Sequence, residues 1–232
     1  MKEVRIGVIG LGNMGTGHIQ NIEAGKIKRE DVFVTSKIFA ETKDAAVAAA
    51  SIDESLAKLG LEYLDLMLIH CPQPWDEFNL ESHRYFEENK AVWKVMEEAV
   101  KAGKISSIGV SNFRIDDIQN LLDGCEIRPA INQCSCAIGH TPLDVIEFCT
   151  KEGIAFEAYC PNGHGRTLSD PTVIRMAEKY GVTPAQLCVR YDYQLGTIPL
   201  PKSTNPAHIK NNAELDVVIS DEDMAFLKAY KN

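Results

Sequence analysis

Short apolar runs alternate along this chain with stretches in which apolar residues recur every three or four positions. YLDLMLIH (63–70) is a nearly continuous apolar run, which is typical of a strand covered on both faces. The stretch before it carries Ala45, Ala48, Ile52 and Leu56 at helical spacing, which predicts an amphipathic helix. The alternation continues to the end of the chain and therefore predicts parallel strands joined by helices.

Seven strands are predicted in this way, at residues 4–10, 32–37, 63–70, 106–110, 129–134, 154–159 and 197–201. An open doubly wound sheet could also hold seven strands. Polar and glycine-rich residues, however, follow strand after strand in the second half, and (β/α)₈ barrels build their active sites at those carboxyl ends. We therefore predict an α/β protein with an incomplete (β/α)₈ TIM-type barrel, as a single domain over residues 1–232. Thr141, followed by Pro142, is predicted to cap one of the helices.

Composition narrows the functional classes. Hydrophobic residues make up 45% of the chain and the formal net charge is -9, which favours a globular protein that binds neither nucleic acid nor anionic membranes in general. No uninterrupted apolar run approaches about 18 residues, so no membrane span is predicted. Seven scattered cysteines are typical of reduced thiols in the cytoplasm. Cys134 and Cys136 form C-x-C with too few partners for zinc, so no metal site is predicted.

Several strand ends carry motifs with candidate chemistry. VFVTSK ends in Lys37, LDLMLIH ends in His70, and GVSNF carries Ser111 and Asn112. Together with INQ, EAYCPNGHG and IPLPKSTNPAHIKNNAE, these segments resemble the aldo-keto reductase family from about residue 29 to residue 232. The resemblance implies an oxidoreductase that moves hydride from NADPH to a small aldehyde or ketone.

The same resemblance implies roles for individual residues. Lys37 and His70 would bind and polarise the carbonyl, because an ammonium and an imidazole stabilise negative charge on its oxygen. His208 stands where the family has arginine and cannot make a bidentate contact to a 2′-phosphate, so weakened discrimination for NADPH over NADH is expected. The implied cofactor-binding residues are Ser111, Asn112, Gln133, Tyr159, Cys160, Asn162, Lys202, Ser203, Thr204, His208, Asn211 and Asn212. Of these, Cys160 replaces the family's usual serine and Asn162 its usual leucine.

The front of the chain departs from this resemblance. VRIGVIGLGNMGTGHIQNI carries Gly10, Gly12 and Gly15 as G-x-G-x-x-G after a strand and before a helix, and it resembles the start of a Gfo/Idh/MocA-type Rossmann dehydrogenase. We therefore predict a chimera in which residues 1–28 are a foreign Rossmann-like βα segment and residues 29–232 are aldo-keto reductase-like. These glycines either accept a pyrophosphate or form an inherited turn without a ligand.

Catalysis is expected to be weak or absent, because the family's catalytic tyrosine and aspartate motifs are missing. Tyr85, on the long loop after His70, is a candidate replacement for the proton donor, with His70 or water as the simpler one. The alternative to an enzyme is a catalytically silent nucleotide-binding or structural remnant of a fused gene. A Gfo/Idh-type dehydrogenase is disfavoured, because nothing after Lys37 resembles the rest of that family.

Two further expectations concern strand edges and thiols. An incomplete barrel leaves two unpaired strand edges, so a homo-oligomer that covers them is predicted. Cys71 and Cys160 both follow strands and are candidate reactive thiols. The inert, buried role is favoured for both, since no basic neighbour is assigned to lower their pKa.

Overall fold

The computed structural model describes residues 6–9, 28–78, 80–81 and 83–231. The chain divides into two compact units, residues 1–130 and 131–232. The predicted glycine motif, Gly10, Gly12 and Gly15, lies outside the described residues. The prediction of one domain over residues 1–232 stays a prediction.

The first unit contains a parallel sheet whose described connections are helical. Its strands are β1 (Ile6–Ile9), β2 (Val32–Ile38), β3 (Leu64–Ile69) and β4 (Ile105–Ser111), each paired with the next. Its helices are a 3₁₀ turn (Arg29–Asp31), α1 (Ala45–Leu59), α2 (Phe86–Lys101) and α3 (Ile115–Leu122). The positions of β2, β3 and β4 confirm the predicted strands. The Rossmann-like character of the β1 unit stays a prediction, since the residues after β1 are not described.

Apolar burial on both faces explains why β3 reads as a continuous apolar run. Leu64, Leu66, Met67, Leu68 and Ile69 are all fully buried. Because side chains alternate along a strand, these residues cover both faces of the sheet. The sequence pattern and the observed packing therefore agree at this strand.

An ion pair holds the start of β2 against β3. The Arg29 guanidinium lies 2.7 Å from the Asp65 carboxylate, and the same carboxylate oxygen accepts the backbone N–H of Val34 at 2.7 Å. Arg29 also lies over the ring of Tyr63, 4.1 Å from its centroid. These contacts hold together the amino ends of the two strands whose carboxyl ends carry the candidate site.

Helix α2 is the longest helix described, with 16 residues, and it has an apolar face and a charged face. Val92, Trp93 and Met96 face the core, while Lys94 and Glu98 are exposed. In the described ranges no helix combines the length and the apolarity that crossing a membrane requires.

The second unit contains a smaller parallel sheet. Its strands are β5 (Ile131–Ser135), β6 (Ala155–Tyr159) and β7 (Ile198–Leu200), which confirm the last three predicted positions. Its helices are α4 (Leu143–Lys151), α5 (Pro171–Tyr180), α6 (Pro184–Gln194), α7 (Pro206–Ala213) and α8 (Asp221–Ala229), with 3₁₀ turns at Gly163–Gly165 and Thr167–Ser169.

One predicted helix cap is wrong. Helix α4 begins at Leu143 without a side-chain cap, although Thr141 precedes it. The Thr141 hydroxyl is instead buried, where it donates to the Ala137 carbonyl oxygen at 3.1 Å and lies 2.8 Å from the Tyr191 hydroxyl. Tertiary contacts in the core of the second unit take the hydroxyl that a cap would have used.

Candidate active site

Lys37 and His70 lie at the carboxyl ends of neighbouring strands. Lys37 is the penultimate residue of β2 and pairs in register with Leu68. His70 follows β3, and its backbone N–H donates to the Ile38 carbonyl oxygen at 3.1 Å. Because side chains alternate along a strand, Leu68 and His70 share a face, and the register places Lys37 on that face as well.

The environment of His70 keeps its imidazole uncharged. Its pKa is lowered from 6.5 to about 4, first because burial disfavours the charged ring and second because the Lys37 ammonium repels it. Glu41 opposes this shift in part. At neutral pH, therefore, one ring nitrogen carries a proton that can be donated in a hydrogen bond, and Lys37 supplies the positive charge.

An aromatic wall, Trp75 and Phe78, stands beside His70 on the loop that follows β3. The Trp75 ring meets the His70 ring edge-on, with 5.2 Å between centroids, and Phe78 meets Trp75 at 5.7 Å. Trp75 is 44% exposed, so an apolar surface faces solvent next to the imidazole. Sequence reasoning missed this wall. The available signal was a tryptophan shortly after the strand-end histidine.

Gln73 anchors the loop that carries the aromatic wall. Its side chain is fully buried, and its amide N–H groups donate to the carbonyl oxygens of Leu80 and His83 at 2.8 and 2.7 Å. Its amide oxygen accepts from the Arg114 guanidinium at 2.7 Å. Because both ends of this amide are used, the loop conformation next to His70 is fixed by side-chain hydrogen bonds.

Ser111 and Asn112 lie where β4 ends. The Asn112 amide donates to the His70 carbonyl oxygen at 3.0 Å and to the Ser111 hydroxyl at 3.1 Å. Asn112 has φ of 59°, a left-handed conformation that asparagine tolerates better than most residues. The structure thus gathers four predicted residues, Lys37, His70, Ser111 and Asn112, at one end of the sheet of the first unit.

The Tyr85 hydroxyl is held by a carboxylate. It donates to Glu77, whose two oxygens both lie 2.9 Å away, and this hydrogen bond is the largest cause that raises the Tyr85 pKa. The raised pKa and the hydrogen bond that engages the hydroxyl proton make Tyr85 a poorer acid than a free tyrosine.

Lys43 and Cys71 form a second buried polar contact on the same side. The Lys43 ammonium donates to the Cys71 carbonyl oxygen at 2.8 Å and to the Asn89 amide oxygen at 3.0 Å. Burial lowers the pKa of Lys43 to about 8. Burial also raises the pKa of the Cys71 thiol to about 11. The prediction that Cys71 is an inert thiol therefore fits its surroundings.

In the second unit, Gln133 and Tyr159 occupy neighbouring strands. The Gln133 amide donates to the Glu157 carboxylate at 2.7 Å, and the two residues are register partners on β5 and β6. Tyr159 ends β6 and is half-buried. Asn162 follows, and its amide oxygen is buried without a hydrogen-bond partner in the described part of the chain. A buried acceptor of this kind is suited to a donor from a bound molecule.

The segment after β7 leads into α7. Asn205 caps this helix by accepting the Ala207 N–H at 2.9 Å, and its own N–H donates to the Ser203 hydroxyl at 3.1 Å. The amides at a helix start favour anions such as phosphate. Among the predicted residues of this segment, three are exposed and three are half-buried: Lys202, Thr204 and His208, then Ser203, Asn211 and Asn212.

Metal ligation finds no support in the geometry. Across the residues that the structure describes, no three His, Cys, Asp or Glu side chains converge as a metal site would require.

Comparisons with known proteins place this geometry in context. A family model described as the aldo/keto reductase family matches residues 18–232. The uncharacterized oxidoreductase YtbE of Bacillus subtilis (strain 168) is 37% identical over 212 residues, 91% of this chain and 71% of that protein. Glyoxal reductase of the same organism is 34% identical over 204 residues, 88% of this chain and 70% of that protein.

A solved structure of an aldo-keto reductase, AKR2E5, complexed with NADPH is also similar. It superposes with a TM-score of 0.82 at 29% identity, covering 97% of this chain and 74% of that one. The family match begins at residue 18 rather than at about residue 29, so residues 18–28 belong to the matched stretch. The likeness of the front segment to Gfo/Idh/MocA dehydrogenases stays a prediction.

Proposed function

Since this chain belongs to the aldo/keto reductase family, we propose that it reduces small aldehydes or ketones with NADPH. The observation that carries the proposal is the pairing of Lys37 with a neutral His70 at the carboxyl ends of β2 and β3. Two donors on one face, one charged and one neutral, fit a carbonyl oxygen that gains negative charge.

Each residue of the pair has a separate part in this chemistry. NADPH, when bound, supplies the hydride. Lys37 places positive charge beside the carbonyl oxygen, and the His70 ring N–H donates a hydrogen bond to it. Trp75 and Phe78 offer an apolar surface to the substrate beside His70.

We propose that the cofactor is held by the residues that the family resemblance implies. Ser111, Asn112 and Gln133 would bind the nicotinamide amide and Tyr159 would stack on its ring. Cys160, Asn162, Lys202, Ser203, Thr204, His208, Asn211 and Asn212 would contact the rest of the dinucleotide. The buried, unpartnered oxygen of Asn162 supports a bound donor at that position. The exposed His208 supports some use of NADH, since an imidazole binds a 2′-phosphate less firmly than arginine does.

We also propose that turnover is weak. The support is the sequence. The family resemblance implies a catalytic tyrosine before the strand that carries Lys37, and the first tyrosine of this chain is Tyr63, which comes after that strand. His70 is uncharged at neutral pH, and the Tyr85 proton is engaged by Glu77. A mismatched or misplaced acid costs about 10²–10⁴ in rate.

The test combines cofactor binding with turnover. NADPH is titrated by nicotinamide fluorescence, and oxidation of NADPH is followed with glyoxal, the substrate that the name of one relative gives, and with benzaldehyde. We expect NADPH binding and slow turnover in the parent. Lys37→Met and His70→Asn should keep binding and lower turnover by about 10²-fold or to background.

Matched controls separate chemistry from general damage. Lys58→Met and His140→Asn change an exposed lysine and an exposed histidine and should leave both readouts unchanged. Binding without any turnover at high enzyme concentration would instead favour the silent nucleotide-binding module. Absence of NADPH binding would reject the proposal.

Two predictions from the sequence remain to be tested with this protein. A homo-oligomer is expected from the open strand edges of an incomplete barrel, and a stable monomer by light scattering at micromolar concentration would contradict it. A cytoplasmic location is expected from the scattered cysteines, and cell fractionation would test it.

A further inference from the structure

A thiol and an imidazole meet on the segment that follows β6. The Cys160 sulfur lies 3.5 Å from Nε2 of His164 and 3.8 Å from its Nδ1. Two short backbone hydrogen bonds fold the segment between them: the Gly163 N–H donates to the Cys160 carbonyl oxygen at 2.8 Å, and the Gly165 N–H donates to that of Asn162 at 2.7 Å. This local fold brings the imidazole back onto the sulfur four residues earlier.

Among the seven cysteines, accessibility separates two from the rest. Five are buried, and only Cys125 and Cys160 are partly exposed. The Cys125 sulfur has a backbone carbonyl oxygen, that of Leu122, at 4.0 Å, and Glu97 adds to the causes that raise its pKa. Cys160 is therefore the partly exposed thiol that has an imidazole in contact.

The imidazole matters because Cys160 holds its proton at neutral pH. Partial burial raises the pKa of this thiol. The nucleophile in cysteine chemistry is the thiolate, so attack by Cys160 requires a base that accepts the proton. Nε2 of His164, at 3.5 Å, is within reach of that proton.

We propose that Cys160 and His164 form a reactive thiol–imidazole pair and that Cys160 is a site of reversible oxidation by peroxides. The sulfur attacks one peroxide oxygen while the imidazole takes the thiol proton. A sulfur–oxygen bond forms, the oxygen–oxygen bond breaks, and the proton passes to the leaving hydroxide. The products of hydrogen peroxide are a sulfenic acid and water: sulfur has lost two electrons and the peroxide has gained them.

Oxidation at this position has a consequence for the cofactor. Cys160 directly follows Tyr159, and both stand among the residues proposed to bind NADPH. An added oxygen with a changed hydrogen-bonding pattern is expected to weaken NADPH binding until a thiol reductant removes it. This consequence rests on the proposed function, whereas the reactivity of the thiol does not.

The first experiment measures reactivity without cofactor. The folded protein is treated with limiting iodoacetamide or hydrogen peroxide, and each cysteine is followed by peptide mass spectrometry, with a sulfenic-acid probe for oxidation. We expect Cys160 to react first. His164→Asn, which suits the left-handed backbone at that position, should slow Cys160 about 10²-fold, because it removes the base that accepts the thiol proton. His140→Asn should not.

The second experiment measures the effect on the cofactor. NADPH affinity is determined before and after peroxide, and again after reduction, in the parent, Cys160→Ser and Cys125→Ser. We expect a reversible loss of affinity in the parent and in Cys125→Ser and none in Cys160→Ser.

The labelling rates of the first experiment decide the thiol–imidazole pair. If Cys125 reacts as fast as Cys160, or His164→Asn does not slow Cys160, the pair is refuted.

If the proposed function is wrong, the experiments give a different result from the one that refutes the thiol–imidazole pair. An untreated protein that does not bind NADPH removes the cofactor proposal, while the labelling rates still decide the thiol–imidazole pair. Equal loss of affinity in Cys160→Ser and the parent after peroxide would overturn the regulatory consequence.

Discussion

Replacing Lys37 by methionine should raise the pKa of His70. In the parent this pKa is lowered from 6.5 to about 4, with burial as the larger cause and the Lys37 charge as the second. Removing the charge leaves the burial, so we expect His70 of Lys37→Met to titrate above about 4 but below 6.5. The ring protons of His70, followed by NMR across pH 3 to 8, report this value directly.

The same shift makes folding depend on pH. An unfolded chain protonates His70 below about pH 6.5, but the folded protein does so only near about pH 4, so the free energy of unfolding falls as pH drops through this window. Between pH 8 and pH 5 the two pKa values give about 2 kcal/mol. The ring is only half-buried, and solvent screening reduces this to about 1 kcal/mol.

Urea unfolding at both pH values measures this difference. His70→Asn should lose about 1 kcal/mol of the parent's pH dependence, and Lys58→Met, with its exposed pair to Glu54, should keep all of it. A parent His70 that titrates near 6.5, or one that Lys37→Met leaves unchanged, would show that the ammonium and the imidazole do not share a site. The proposed carbonyl-binding pair would then have no basis.

Three further perturbations test other parts of the structure. Glu97→Ala should lower the free energy of unfolding by about 2–4 kcal/mol in urea, because one Glu97 oxygen accepts two backbone N–H groups at 2.7 and 2.8 Å, whereas the exposed Glu98→Ala should change little. Asp192 is fully buried with one oxygen unpartnered, and its pKa is raised well above the usual value by burial. The stability of the parent relative to Asp192→Asn should therefore fall as pH rises above about 4, measured by thermal unfolding. Trp75→Ala should raise KM for benzaldehyde more than for glyoxal in steady-state assays, because the lost surface is aromatic.

Much of the sheet could be predicted because buried strands need apolar residues, and runs of apolar residues can be recognised in the sequence. A strand covered on both faces needs apolar residues at every position, and Leu64–Ile69 has them except at Asp65, which pairs with Arg29. Its end is marked where polar residues resume, at His70. Lys37 ends the strand predicted at residues 32–37, one residue before β2 itself ends. Because the carboxyl ends of parallel strands lie at the same edge of a sheet, a position of Lys37 near His70 agrees with parallel pairing of the two strands.

Pairings that depend on register or on loop conformation could not be read from the sequence. The Gln133–Glu157 hydrogen bond exists because these residues are partners on neighbouring strands 24 positions apart, and register is not visible in either strand alone. The contact between Trp75 and His70 depends on the Gln73 anchor, whose partners are two backbone carbonyls and Arg114. Neither periodicity nor motif spacing encodes such a loop.

At positions with a left-handed backbone, the residue found is often not the glycine that this conformation favours. In the described part of the chain, the non-glycine residues with positive φ are Tyr85, Asn112, Cys160 and His164. Each such residue costs about 1–2 kcal/mol unless its side chain or surroundings compensate. Asn112 binds the His70 carbonyl, Tyr85 binds Glu77, and Cys160 contacts His164. Glycine at any of these positions would relieve the strain and remove the contact. The residues found there are therefore explained better by what their side chains hold than by the backbone they adopt.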